Sequence, residues 1–284
     1  MSSIVALIDG SVYSTSVCDH AAWAAARIGA PVELLHVLGR RLATGTAPDL
    51  SAHLDAEAGA RLLEELAAHD EAAGKLAQRR ARAILDAARA RMVEDGVGDI
   101  TTRLRQGDLV ETLHEMEAGT ALVVIGKRGE AADFAQLHLG SNLERILRAS
   151  RRPVLVAARA FRPIARVLLA FDGGPSAMKA VAHIAEGRLL HGLALRLLLV
   201  GTPSAQAATR LAEATATLRA RGFAVTADTL PGQAEEVIAE AVRQGAADLL
   251  VMGAYGRSRI RTLIIGSTTT AMIRSCLIPV LLFR

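Results

Sequence analysis

Apolar residues recur in two rhythms along the chain. Short runs of Val, Ile, Leu and Ala bounded by Gly, Pro or Asp have the length of buried strands, and stretches with apolar positions three and four apart read as amphipathic helices. In the first half the strand-like runs are 4–8, 32–37, 100–105, 122–125 and 154–157, with helical patterns at 17–28, 51–94, 108–116 and 142–148. After Pro163 the order restarts: strands at 167–171, 195–200, 224–229, 249–252 and 280–283, helices at 176–190, 205–221 and 235–244, and a further helix opening at Ser267 and Thr268. The repeat has a period of roughly 160 residues.

This pattern predicts an α/β protein of two Rossmann-like domains in tandem, 1–160 and 161–284, each a doubly wound, five-stranded parallel sheet. A chain of 284 residues exceeds one ordinary core. Right-handed crossovers put helices on both faces of each sheet and a ligand crevice at the carboxyl ends of the strands. Three pairs of residues align the halves at that edge: Asp9 with Asp172 after strand one, Val37 with Val200 ending strand two, and Gly126 with Gly253 ending strand four. The halves differ most between 40 and 80, where the first carries an extra helical stretch with Leu54, Leu62, Leu66 and Leu76. That stretch reads either as a solvated helix with one buried stripe or as a partner-binding surface.

Composition narrows the function. Hydrophobic residues make up 51% of the chain and aromatics only 3%, which suits Ala/Leu/Val/Ile helices on parallel strands and leaves little to stack nucleobases. Residues 1–160 hold 19 bases and 21 acids, and residues 161–284 hold 14 and 8, so the second half is +6 and the first −2. A small anionic ligand accounts for that surplus better than nucleic acid. No apolar run approaches the ~20 residues of a membrane helix. Met1 leads into the run 4–8 without a basic region or cleavage-type segment, and the expected compartment is the cytoplasm. Cys18 and Cys276 sit in apolar helical patterns and read as buried thiols. His114, His138, His183 and His191 have no partner at metal-ligand spacing, and His36, beside Val37, reads as an edge or core histidine more readily than an acid or base.

The most informative segment is Gly253-Ala254-Tyr255-Gly256, nine residues to Ile265, then Gly266-Ser267-Thr268, of the form G-x2-G-x9-G-[ST]. Glycines at a strand end let the backbone approach a ligand, and a helix opened by Ser and Thr offers free amides and hydroxyls to an anion. The intervening residues carry Arg257, Arg259 and Arg261 and no acid; each charge-assisted hydrogen bond contributes about 1.5–3 kcal/mol. The same residues would also serve as plain turn and cap positions. The spacing is neither that of a P-loop nor that of a dinucleotide fingerprint.

Placed between strand four and helix four, after an Asp ending strand one, this segment resembles the ATP-binding universal stress proteins, over both halves. The resemblance implies an adenine nucleotide alpha hydrolase-like fold and a site for ATP, with Mg²⁺ or Mn²⁺ bridging the phosphates. Ala170, Asp172 and Val200 would lie near base and ribose, Gly253, Gly256 and Arg257 near ribose and phosphates, and Gly266, Ser267 and Thr268 on the phosphates. It also implies pairing of two domains through their last strands, here 154–157 against 280–283 within one chain, a pseudo-dimer that leaves a homodimer open. In the first half Gly126-Lys127-Arg128-Gly129 is followed by ten residues before Gly140-Ser141, one more than the family pattern, with Glu130 and Asp133 among them and no base. Two readings stand there: a degenerate structural domain, or an altered site lined by Asp9, Val37, Gly126, Gly129, Gly140 and Ser141.

The expected role is a nucleotide-binding stress or regulatory protein with slow turnover at most. Ser267 has no neighbouring His or acid and no G-x-S-x-G context, so it reads as a phosphate-facing hydroxyl. Two alternatives remain: a nucleotide-independent adaptor, and an enzyme similar to the ATP pyrophosphatases. The second rests on Asp172-Gly173-Gly174-Pro175-Ser176, which lacks that family's opening Ser and later acid.

Overall fold

The computed structural model describes residues 2–39, 56–129, 140–254 and 267–284. The first half runs β1 (Ser3–Leu7), α1 (Ser14–Ile28), β2 (Val32–Leu38), α2 (Ala56–Glu94), β3 (Ile100–Gln106), α3 (Leu109–Met116), β4 (Thr120–Gly126), α4 (Ser141–Ala149) and β5 (Val154–Ala157). The second runs β6 (Arg166–Ala170), α5 (Pro175–Glu186), β7 (Ala194–Val200), α6 (Ala205–Ala220), β8 (Ala224–Leu230), α7 (Ala234–Arg243), β9 (Leu249–Gly253), α8 (Ser267–Ser275) and β10 (Val280–Phe283).

These ten strands form one sheet in the order β3-β2-β1-β4-β5-β10-β9-β6-β7-β8. Within each half every neighbouring pair is parallel, and the halves join where β10 runs antiparallel to β5, Val280 opposite Val156 and Leu282 opposite Val154. The carboxyl edge of one half is therefore level with the amino edge of the other.

Alternate strand residues feed two cores. Ile4, Ala6, Leu169 and Leu197 pack with α1, α2, α5 and α6 on one face, and Val5, Leu7, Leu168 and Leu198 with α3, α4, α7 and α8 on the other. Asp108 caps α3 by accepting from the amides of Val110 and Glu111, and Ser204 caps α6 through the amide of Ala207.

The helical pattern read through residue 190 stops earlier. α5 ends at Glu186, because Gly187 turns to extended backbone (φ −89°, ψ 161°) while its amide closes the last turn on His183. The following turn is held from the other half, where Arg27 of α1 donates to the carbonyls of Leu189 and His191.

Candidate functional site

In each half the strand order reverses between the first and fourth strands, so a crevice opens at their carboxyl ends. In the second half these strands are β6 and β9, with Ala170 paired to Met252, and β7 flanks β6, with Ala170 paired to Leu198. Asp172 follows β6 and closes its own turn, its Oδ1 accepting from the Gly174 amide at 2.7 Å. Gly173 takes a left-handed φ of 70°, and a β-carbon there would lie 3.3 Å from the Ala207 backbone of α6. Arg210 of α6 reaches the same turn, its Nη1 donating to the Gly173 carbonyl at 2.5 Å. α5 then starts with Pro175 and has no acid in its first turn; the carboxylate at its amino end is that of Asp172, held on the amide of the capping Gly174. Ala170, Asp172 and Val200 are half-buried around this turn.

Gly253 ends β9 against the first turn of α5. A β-carbon on it would sit 2.8 Å from Ser176 Cβ and 3.4 Å from the Ala177 amide nitrogen, a separation only glycine tolerates. Its carbonyl accepts from Thr269 Oγ1 at 3.1 Å, and the buried Thr269 thereby ties the first turn of α8 to the end of β9. Thr268 stands beside it in that turn, half-buried, and α8 also starts without an acid. The amino end of α8 and the turn at Asp172 thus meet at one edge of the sheet, bringing together Ala170, Asp172, Val200, Gly253 and Thr268. Gly256, Arg257, Arg259, Arg261 and Gly266 lie outside the described residues, and Ser267 is placed only as the residue that opens α8.

The first half has the same frame and different furniture. Asp9 Oδ1 accepts from the Ser11 amide at 2.9 Å and from Ser14 Oγ at 3.3 Å. Gly126 ends β4 so close to α1 that a β-carbon would lie 2.6 Å from Tyr13 Cβ. Gly129 stands against Asp9, where a β-carbon would be 3.0 Å from Oδ2, and the Gly140 amide donates to the Lys127 carbonyl at 3.4 Å. Ile84 of α2 covers the Gly10 turn, within 2.7 Å of where a β-carbon would be. Val37 is half-buried at the end of β2, Ser141 opens α4, and Glu130 and Asp133 lie outside the described residues.

Lys127, between Gly126 and Gly129, does not serve this crevice. It is buried, and its Nζ donates to the carbonyl of Cys276, just past α8 of the other half. Burial pushes its pKa down. The antiparallel seam makes this possible, because it sets the carboxyl end of β4 beside the segment that enters β10. His36 is likewise structural: its Nδ1 donates to the Ile8 carbonyl at 2.7 Å.

Sequence reading missed Arg210 and Thr269 in the second crevice and Tyr13 in the first. Thr269 had a signal, since it continues the Ser-Thr run that opens α8. Arg210 had none, because its proximity comes from how α6 packs. Cys18 is buried and its pKa pushed up to about 12, which makes it a poor nucleophile. Among the described residues no three His, Cys, Asp or Glu side chains gather to hold a metal ion, and no helix is long and apolar enough to cross a membrane.

Comparison with known proteins places this geometry among relatives. The model of the universal stress protein family matches residues 1–158 and 202–284. Residues 159–201, which include Asp172, fall between the matched stretches. Universal stress protein Slr1230 of a Synechocystis species is 35% identical over the full length of both chains. The crystal structure of a universal stress protein from Archaeoglobus fulgidus superposes with a TM-score of 0.70 at 20% identity, over 99% of this chain and 96% of that one. A functionally unknown protein, PA1789 of Pseudomonas aeruginosa, superposes with a TM-score of 0.61 at 19% identity, over 99% and 92%.

Proposed function

Because the chain belongs to the universal stress protein family, we propose that its second half binds ATP and that the protein is a cytoplasmic, nucleotide-responsive stress regulator with little or no turnover. The observation that carries this reading is the meeting of two helix starts around Gly253, at α5 and α8, neither with an acid in its first turn. Helix amino termini favour anions through their unpaired amides and dipole, and the surplus of bases in residues 161–284 acts in the same direction. Ala170, Val200 and the Asp172 turn offer a half-buried, partly apolar place for base and ribose, with Arg210 adding positive charge beside it. No carboxylate cage is present among the described residues, so Mg²⁺ or Mn²⁺ would be held chiefly by the phosphate oxygens. A catalytic base is no part of this proposal.

The first crevice we assign a structural role. Its lysine is committed to the seam, Ile84 roofs its turn, and Gly129 occupies the space beside Asp9. Calorimetry on the full chain with ATP and Mg²⁺ is expected to give one site per chain. Gly266→Glu, which adds a side chain and a negative charge to the G-[ST] step of the motif, is expected to abolish binding. A folded Gly266→Glu protein with unchanged ATP affinity would refute the assignment, and a wild-type chain that ignores millimolar ATP would leave the partner-adaptor reading in its place.

A further inference from the structure

α2 is 39 residues long, far more than its crossover requires. Only its last turns are anchored: Ala81 is buried, and Leu85, Ala88 and Met92 are buried under the sheet and α1. The part from 56 to 80 would extend about 36 Å at helical rise. Its side chains from 60 to 80 are exposed or at most half-buried. In proteins most helical stability comes from packing an amphipathic face, and this part of α2 carries such a face with little of it buried.

The stripe runs along the segment and is interrupted at His69 and Asp70. Leu62, Leu66, Ala73 and Ala77 recur at helical spacing and are half-buried, while Leu63 and Leu76 beside them are 51% and 60% exposed. The charges along the same stretch are segregated. Residues 64–71 hold four acids and no Lys or Arg, and residues 75–82 hold four bases and no acid. Lys75 and Glu71 already pair within the helix at 2.6 Å, at the boundary between the blocks.

We propose that this part of α2 is a homodimerisation surface that docks on the same helix of a second copy, antiparallel, about a two-fold axis near Ala73. In that arrangement each acidic block faces the partner's basic block, and both contacts form at once, as an isologous interface demands. A parallel pairing would set like charge against like. Ala73 and Ala77 let the two helices approach closely at the centre, and the leucines lie on either side. The surface is small by the standard of permanent complexes, so a dissociation constant on the order of micromolar is expected, weakening as salt rises.

Sedimentation equilibrium of the full chain over the micromolar range tests this. The expected result is a shift from a 29.9 kDa species toward twice that mass as concentration increases. The double change Leu66→Glu and Leu76→Glu should weaken the dimer about a hundred-fold while leaving the circular dichroism of the chain intact. Ala73→Cys should form an interchain disulfide on mild oxidation, a readout that Cys18 and Cys276 do not confuse because both are buried. A chain that remains monomeric throughout, a dimer that survives the leucine changes, or an Ala73→Cys variant that fails to cross-link each overturns the proposal.

Discussion

The two crevices occupy matching places in the sheet and differ in what stands around the same glycine. Gly253 faces Ser176, a small residue, while Gly126 faces Tyr13. Over the Asp172 turn lies Arg210, and over the Asp9 turn lies Ile84. After Gly253 comes Ala254, whose amide donates to the Phe283 carbonyl; after Gly126 comes Lys127, whose ammonium is drawn to Cys276 across the seam. The strand order makes a crevice in both halves, and the side chains around it decide whether a polyanion would be welcome. A doubled fold thus gives two crevices of one topology with different side chains around them, and the proposed division of roles rests on that difference.

Crowding the glycines separates these roles most strongly. Gly253→Val and Gly126→Val each push a β-carbon into the neighbouring helix, 2.8 Å from Ser176 Cβ and 2.6 Å from Tyr13 Cβ. Each is expected to lose about 3 kcal/mol in urea unfolding. ATP affinity should fall only in the Gly253 variant, and equal loss in both would end the distinction between the crevices.

Where the halves resemble each other, they should respond alike. His20 of α1 and His183 of α5 each stand eleven residues beyond the Asp of their half, Asp9 and Asp172, and each packs on a phenylalanine ring, Phe161 and Phe283. Burial lowers the pKa of both from 6.5. His20 is fully buried, with Nδ1 bonded to the Ser16 carbonyl at 2.6 Å and Nε2 without a partner among the described residues. The unfolded chain therefore takes up protons that the folded one refuses. Stability is complete above pH 6.5 and is lost as pH falls from there through the lowered folded values. The loss is at most about 1.4 kcal/mol per pH unit for each histidine. Thermal melts from neutral pH into the acid range should show this slope, and His20→Leu should reduce it by about half.

The smallest expected effect is at Thr269. Thr269→Val removes the hydroxyl that holds the Gly253 carbonyl, with a loss of about 1 kcal/mol and a several-fold weaker ATP titration if α8 drifts from β9. An unchanged titration would mean that α8 is held by its buried side chains alone.

Residue order alone was enough to read the alternation of strands and helices, the internal repeat, and the edge on which the Asp and Gly residues gather. Strand and helix periods are local, and crossover handedness then leaves little freedom in where β1 and β4 end relative to each other. It also marked the extra helical stretch between 40 and 80, although the part before residue 56 lies outside the described residues. Packing in three dimensions settled the rest. Where a long side chain such as Lys127, Arg27 or Arg210 goes depends on which surface the other elements bring within reach, and residue order does not encode that distance. The roof of Ile84 on one turn follows from contact between segments remote in the chain, so no local window could have revealed it; the union of the halves through β5 and β10 came from the family resemblance and not from any local pattern, and the end of α5 was marked locally by Gly187.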